Sequence, residues 1–79
     1  MDKDKVRKII EATLCRGTKK PGVFDIPKAL SLKSKLESCN SVEAVIEELH
    51  RSYSFISKSF GLSSIVFDEG IDKLKELIR

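Results

Sequence analysis

Tryptophan is absent from this sequence, proline and glycine are scarce, and no long apolar run occurs. The longest uninterrupted apolar stretches are Ala44-Val45-Ile46 and Ile65-Val66-Phe67, whereas a transmembrane helix needs about 20 apolar residues. Residues 1–15 also lack the apolar segment of a secretory signal peptide. We therefore expect a cytoplasmic, globular protein that has no membrane partner.

Cysteine and histidine are too few for most metal or disulfide chemistry. Cys15 and Cys39 are the only cysteines and His50 is the only histidine, so one chain cannot supply the four Cys and His ligands of a structural zinc site. No glycine-rich phosphate-binding motif is present. A catalytic group built from a cysteine, His50 and Glu47 needs a concave pocket, which a domain this small rarely has. The sequence thus predicts no enzyme activity, no catalytic residues, no cofactor and no metal, and it leaves the role of the cysteines and His50 open.

What the sequence does contain is a series of amphipathic segments. Apolar residues recur at helical spacing in four stretches of a chain of 79 residues, a length typical of one domain. We predict an all-α fold, a small bundle of four short helices over 2–16, 26–38, 41–60 and 65–79 of the single domain 1–79. The alternative is a mostly helical domain with a minor two-stranded ribbon, in which Val23-Phe24 pairs with Ile65-Val66-Phe67.

The apolar faces of the last two predicted helices are long for so small a domain. Between Val42 and Phe60, seven large apolar residues follow at intervals of 3, 1, 3, 4, 3 and 4, which keeps them on one helix face. These side chains either fill the core of one chain or bind a partner helix or a second copy. We interpret the chain as a small non-enzymatic macromolecule-binding protein, in the first place a protein–protein interaction adaptor or inhibitor, or a self-associating chain. The predicted contact residues are Tyr53, Phe60, Phe67 and Leu77.

Charge is distributed unevenly along the chain. Residues 1–39 contain ten basic and five acidic residues, whereas residues 40–79 contain five basic and seven acidic residues. A basic half is typical of nucleic-acid binding and is also found on ordinary solvated surfaces. A helix-turn-helix is disfavoured because Glu43, Glu47 and Glu48 stand where the recognition helix would approach phosphates. The alternative function is a nucleic-acid-associated protein that uses the basic N-terminal half. Its predicted contacts are Lys19, Lys20, Lys28, Lys33 and Lys35.

Overall fold

The computed structural model describes residues 1–79, and its regular structure consists of helices only. The five helices are α1 (Lys3–Cys15), α2 (Ile26–Glu37), α3 (Val42–Arg51), α4 (Tyr53–Phe60) and α5 (Ser64–Glu76). The predicted all-α class is therefore confirmed. None of the helices is both long enough and apolar enough to cross a membrane.

The predicted number of four helices is wrong, because the helix expected over 41–60 is interrupted at Ser52. The amide of Ser52 donates to the carbonyl of Glu48 at 3.0 Å, and its own carbonyl accepts from the amide of Ile56 at 2.9 Å. Serine and tyrosine at this point have a lower helix propensity than alanine. Only one residue between α3 and α4 is not helical. The apolar stripe therefore continues from α3 into α4 on the same side of the chain.

The alternative fold with a two-stranded ribbon is also wrong, since neither of its segments is extended. Val23 and Phe24 lie in a turn before α2, and Ile65-Val66-Phe67 lies in the first turn of α5. The amide of Val66 donates to the hydroxyl of Ser63 at 3.2 Å. This N-terminal cap begins the helix just ahead of three residues that otherwise favour strands.

The core is one cluster to which every helix contributes. Its most extensive helix pair is α1 with α5, and these two helices approach closely where Gly70 faces Thr13. A Cβ atom built on Gly70 would lie 2.5 Å from Oγ1 of Thr13, so the close approach accounts for a glycine inside a helix. The eleven buried apolar residues are Val6, Leu32, Val42, Val45, Ile46, Leu49, Ile56, Leu62, Phe67, Ile71 and Leu74.

The second helix contributes little to the core. Leu32 is the only buried residue of α2, and the main neighbour of this helix is α3. A single polar side-chain contact links α2 to α1: the ammonium group of Lys3 donates to the carbonyl of Glu37 at 3.1 Å. The beginning of α1 is thus joined to the end of α2, while the apolar sides of the two helices stay apart over most of their length.

Candidate functional site: a groove between the first two helices

An apolar groove lies between α1 and α2 and has a volume of ≈ 750 Å³. We call it the α1–α2 groove. Buried Val6 and Leu32 belong to its floor, and Phe60 of α4 also lines it. Its apolar lining consists of Met1, Val6, Ile10, Leu14, Ala29, Leu30, Leu32, Leu36 and Phe60. The volume lies within the range of about 300–1,000 Å³ that is usual for binding sites in proteins.

The groove exists because α2 has more apolar surface than its neighbours cover. Ala29, Leu32 and Leu36 follow at helical spacing and are buried or half-buried. Ile26 and Leu30 form a second apolar line, turned by about 100° around the helix from the first. The side chain of Leu30 is 59% exposed at the edge of the groove, so this second line has no partner within the chain.

The rim of the groove is charged, and all of its ion pairs lie within one helix. On α1, the guanidinium group of Arg7 lies 3.2 Å from the carboxylate of Asp4 and 3.9 Å from that of Glu11. On α2, the ammonium group of Lys33 lies 3.9 Å from the carboxylate of Glu37. Exposed pairs of this kind contribute at most about 1 kcal/mol to stability. The rim as a whole has as many acidic as basic side chains. The apolar floor, and not a net charge, is therefore what distinguishes the groove.

The four predicted contact residues do not form one surface. Phe67 is only 5% exposed, which places it in the core and not on a contact face. Tyr53 is half-buried and packs edge-on against Phe67, with the ring centroids 4.8 Å apart. Leu77 follows ten residues after Phe67, or about 15 Å along the helix, and it is partly exposed. Of the four, Phe60 alone lines the α1–α2 groove.

The five lysines predicted to contact nucleic acid are all exposed to solvent. Lys19 and Lys20 lie in the loop before α2, whereas Lys28, Lys33 and Lys35 lie on α2 itself. Only Lys33 has an acidic partner within ion-pair distance. Lys33 also belongs to the rim of the groove, and the other four lysines lie outside it.

The cysteines and the histidine do not assemble into a site. The thiol of Cys39 donates to the carbonyl of Lys35 at 3.2 Å, and Cys15 is exposed at the end of α1. The ring of His50 stands edge-on to Phe67 at a centroid distance of 5.7 Å. No three side chains of the Cys, His, Asp and Glu types are grouped so that they could hold a metal ion.

A small cavity of ≈ 20 Å³ lies among α1, α3, α4 and α5. Nine of its 11 lining residues are hydrophobic. It is too small for any ligand and is not a candidate site.

No protein-family model, no curated protein and no solved structure matches this chain. The function must therefore be inferred from the shape and chemistry of the molecule itself.

Sequence reasoning did not find the groove, although one feature of the sequence indicated it. Leu30 stands beside the apolar stripe of the second predicted helix, and Ile26 precedes it by one helical turn. Such a widened apolar face shows that a helix has more than one apolar neighbour, or that one neighbour is missing. Which of these applies depends on the tertiary arrangement, and periodicity does not reveal it.

Proposed function

We propose that this chain is a non-enzymatic protein-binding domain of the adaptor or inhibitor type, which takes an amphipathic helix of a partner protein into the α1–α2 groove. The observation that supports this proposal is the open apolar floor of the groove, bordered by charged side chains. Contiguous apolar surface with a polar rim is typical of interaction sites. The sequence-based contact surface is replaced here, because of its four residues only Phe60 lines the groove.

The form of the partner segment follows from the surface that it must cover. The floor consists of side chains on helices and offers no free backbone edge. An extended peptide would lose its backbone hydrogen bonds there, whereas a helix satisfies them internally. Along α1 the groove extends from Lys3 to Leu14, which is about 17 Å or three helical turns. The partner helix is therefore expected to insert apolar residues at positions i, i+4 and i+7.

The rim disfavours other classes of ligand for the groove itself. The rim carries three acidic and three basic side chains, so it has no excess positive charge to attract the phosphates of a nucleic acid. A concave surface also cannot lie flat on a lipid bilayer. A helix with mixed charges flanking an apolar stripe fits both the floor and the rim.

The test uses Leu30 because it lies at the groove and is already exposed. We expect Leu30→Asp to weaken binding of the partner helix by at least about tenfold, because a carboxylate would be buried against apolar side chains. The matched control is Ile65→Asp, since Ile65 is an equally apolar residue, 71% exposed on α5, that does not line the groove. A photo-reactive amino acid at position 30 first identifies the partner segment, and binding of the synthetic segment is then measured by calorimetry.

Two results together support the proposal. The crosslinked segment has apolar residues at helical spacing, and it binds normally to the Ile65→Asp variant but not to the Leu30→Asp variant. Equal loss in both variants would contradict it. A crosslinked segment that belongs to a second copy of this chain would also contradict the partner-protein proposal and favour self-association.

A second candidate function, binding of nucleic acid by the basic N-terminal half, is supported by the exposure of the lysines. Lys19, Lys20 and Lys28 have no acidic partner within ion-pair distance. This function predicts an affinity that falls steeply with salt, because phosphate contacts release counterions. The measurement is a salt titration of oligonucleotide binding to the wild-type chain, to Lys19→Glu/Lys20→Glu and to the groove variant Leu30→Asp. Loss confined to the lysine variant supports nucleic-acid binding, and binding that does not depend on salt counts against it.

A further inference from the structure

Two large apolar side chains project into solvent at the turn before α2. Phe24 is 93% exposed and Val23 is 80% exposed, which makes them the two most exposed large apolar side chains of the molecule. We call Val23 and Phe24 the apolar tip. Neither residue lines the α1–α2 groove, so the protein-binding proposal does not account for them.

The loop that carries the apolar tip is fixed to the rest of the molecule at both ends. At its beginning, the amide of Lys19 donates to the carbonyl of Phe60 at 3.0 Å. At its end, the buried hydroxyl of Ser59 donates to the carboxylate of Asp25 at 3.2 Å. Between these points the amide of Asp25 donates to the carbonyl of Gly22 at 2.9 Å, which closes a turn. The backbone therefore holds Val23 and Phe24 away from the core.

The surroundings of the apolar tip are positively charged. Within five residues of the tip the sequence has three lysines, Lys19, Lys20 and Lys28, and one acidic residue, Asp25. The carboxylate of Asp25 is half-buried and accepts a hydrogen bond from Ser59, so the acid faces inward while the lysines face solvent. Ile26, which does not line the groove, continues the exposed apolar surface onto α2.

We propose that the apolar tip inserts into the surface of an anionic lipid bilayer, where the neighbouring lysines contact the lipid headgroups. Apolar side chains at the level of the headgroups together with basic residues are what peripheral membrane binding requires. Each lysine near an anionic surface strengthens binding by about fivefold. This proposal departs from the sequence-based expectation of no membrane partner, and contact at the bilayer surface needs no membrane-spanning helix.

The observations favour lipid over nucleic acid as the partner of this surface. A nucleic acid would use the lysines and stack bases on aromatic rings, but Phe24 is the only aromatic residue among them. Val23 and Ile26 are aliphatic and offer nothing to a base or a phosphate, whereas a bilayer accepts both.

The absence of tryptophan allows a direct test with the variant Phe24→Trp, whose indole is the only one in the chain. The fluorescence of this variant is measured with vesicles of phosphatidylcholine alone and with vesicles that also contain phosphatidylglycerol. We expect a blue shift and co-flotation with the anionic vesicles only. The control Ile65→Trp places the indole at an exposed position of α5 that precedes Asp68 and Glu69, and its emission should not shift.

A second pair of variants tests the charge. Lys19→Glu/Lys20→Glu should weaken partition to anionic vesicles by more than about tenfold. Lys73→Glu/Lys75→Glu changes the net charge by the same amount on α5 and should have a much smaller effect. Phe24→Ser should abolish flotation while circular dichroism shows an unchanged helix content.

Three results would overturn the proposal. The first is an unshifted Phe24→Trp spectrum with anionic vesicles. The second is equal binding to neutral vesicles, which would leave no part for the lysines. The third is quenching of Phe24→Trp by an oligonucleotide without any response to vesicles, which would assign the surface to nucleic acid. Leu30→Asp and Phe24→Ser alter different sites. A negative vesicle experiment therefore leaves the groove proposal intact, and a negative groove experiment leaves the lipid proposal intact.

Discussion

At the scale of single residues, Gly70 shows how packing opposes helix propensity. Gly70→Ala would gain about 1 kcal/mol of intrinsic helix stability. The added Cβ would lie 2.5 Å from Oγ1 and 2.7 Å from Cγ2 of Thr13, and overpacking of this kind costs about 1–3 kcal/mol. Thr13 cannot easily turn away, because its hydroxyl donates to the carbonyl of Ile9 at 2.8 Å. We expect a lower free energy of unfolding for Gly70→Ala in urea denaturation.

Two further variants separate packing from propensity at Gly70. Thr13→Ala in the Gly70→Ala background should restore part of the loss, since the two sites are in contact and their effects are not additive. Gly22→Ala is the control, because a Cβ at Gly22 meets no atom within 4 Å, and it should be neutral or slightly stabilising. A stabilised Gly70→Ala variant would show that α1 and α5 are not in such close contact.

Phe67 and Phe24 are a matched pair of aromatic residues with opposite environments. Phe67 is buried in the core cluster, so Phe67→Ala should lower the free energy of unfolding by about 3–5 kcal/mol. Phe24 is almost fully exposed, and Phe24→Ala should change the free energy of unfolding by no more than about 0.5 kcal/mol. Thermal and urea denaturation of both variants provide the measurement. A large loss for Phe24→Ala would mean that this ring is packed and that no apolar tip exists.

At the scale of elements, the helical class could be predicted from the sequence because apolar spacing alone determines it. The break at Ser52 could not, since the apolar stripe continues through it from Leu49 to Ile56 and one non-helical residue does not change the periodicity. Periodicity places Phe67 in one apolar stripe with Ile71 and Leu74, and all three are buried. The exposure of Phe24 was hidden from periodicity, because it depends on the tertiary position of the turn before α2.

The second helix should open more readily than α5. α2 contains one buried residue, Leu32, whereas α5, of similar length, contains four. Amides are protected from exchange in proportion to the free energy needed to expose them. We therefore expect hydrogen exchange in α2 to be at least about tenfold faster than in α5. Equal protection of the two helices would contradict the peripheral position of α2, and binding of a partner helix in the groove should slow exchange in α2 specifically.

At the scale of the whole molecule, all five helices depend on one core. The cluster of 11 buried residues receives at least one side chain from each helix. The radius of gyration of 11.8 Å is close to the value of about 12 Å expected for a folded chain of this length. No helix therefore has an apolar core of its own, and we expect global unfolding in a single cooperative transition.

This expectation can be tested without labels, because Tyr53 is the only tyrosine and no tryptophan is present. Tyr53 packs on Phe67 between α4 and α5, so its fluorescence reports the core, while far-UV circular dichroism reports all helices. The two urea transitions should have the same midpoint and a slope of about 1 kcal/mol/M. If ellipticity declined before tyrosine fluorescence changed, α2 would unfold as a separate unit. The α1–α2 groove would then lie between a stable body and an independently folding helix, and binding of the partner would have to include the free energy of ordering α2.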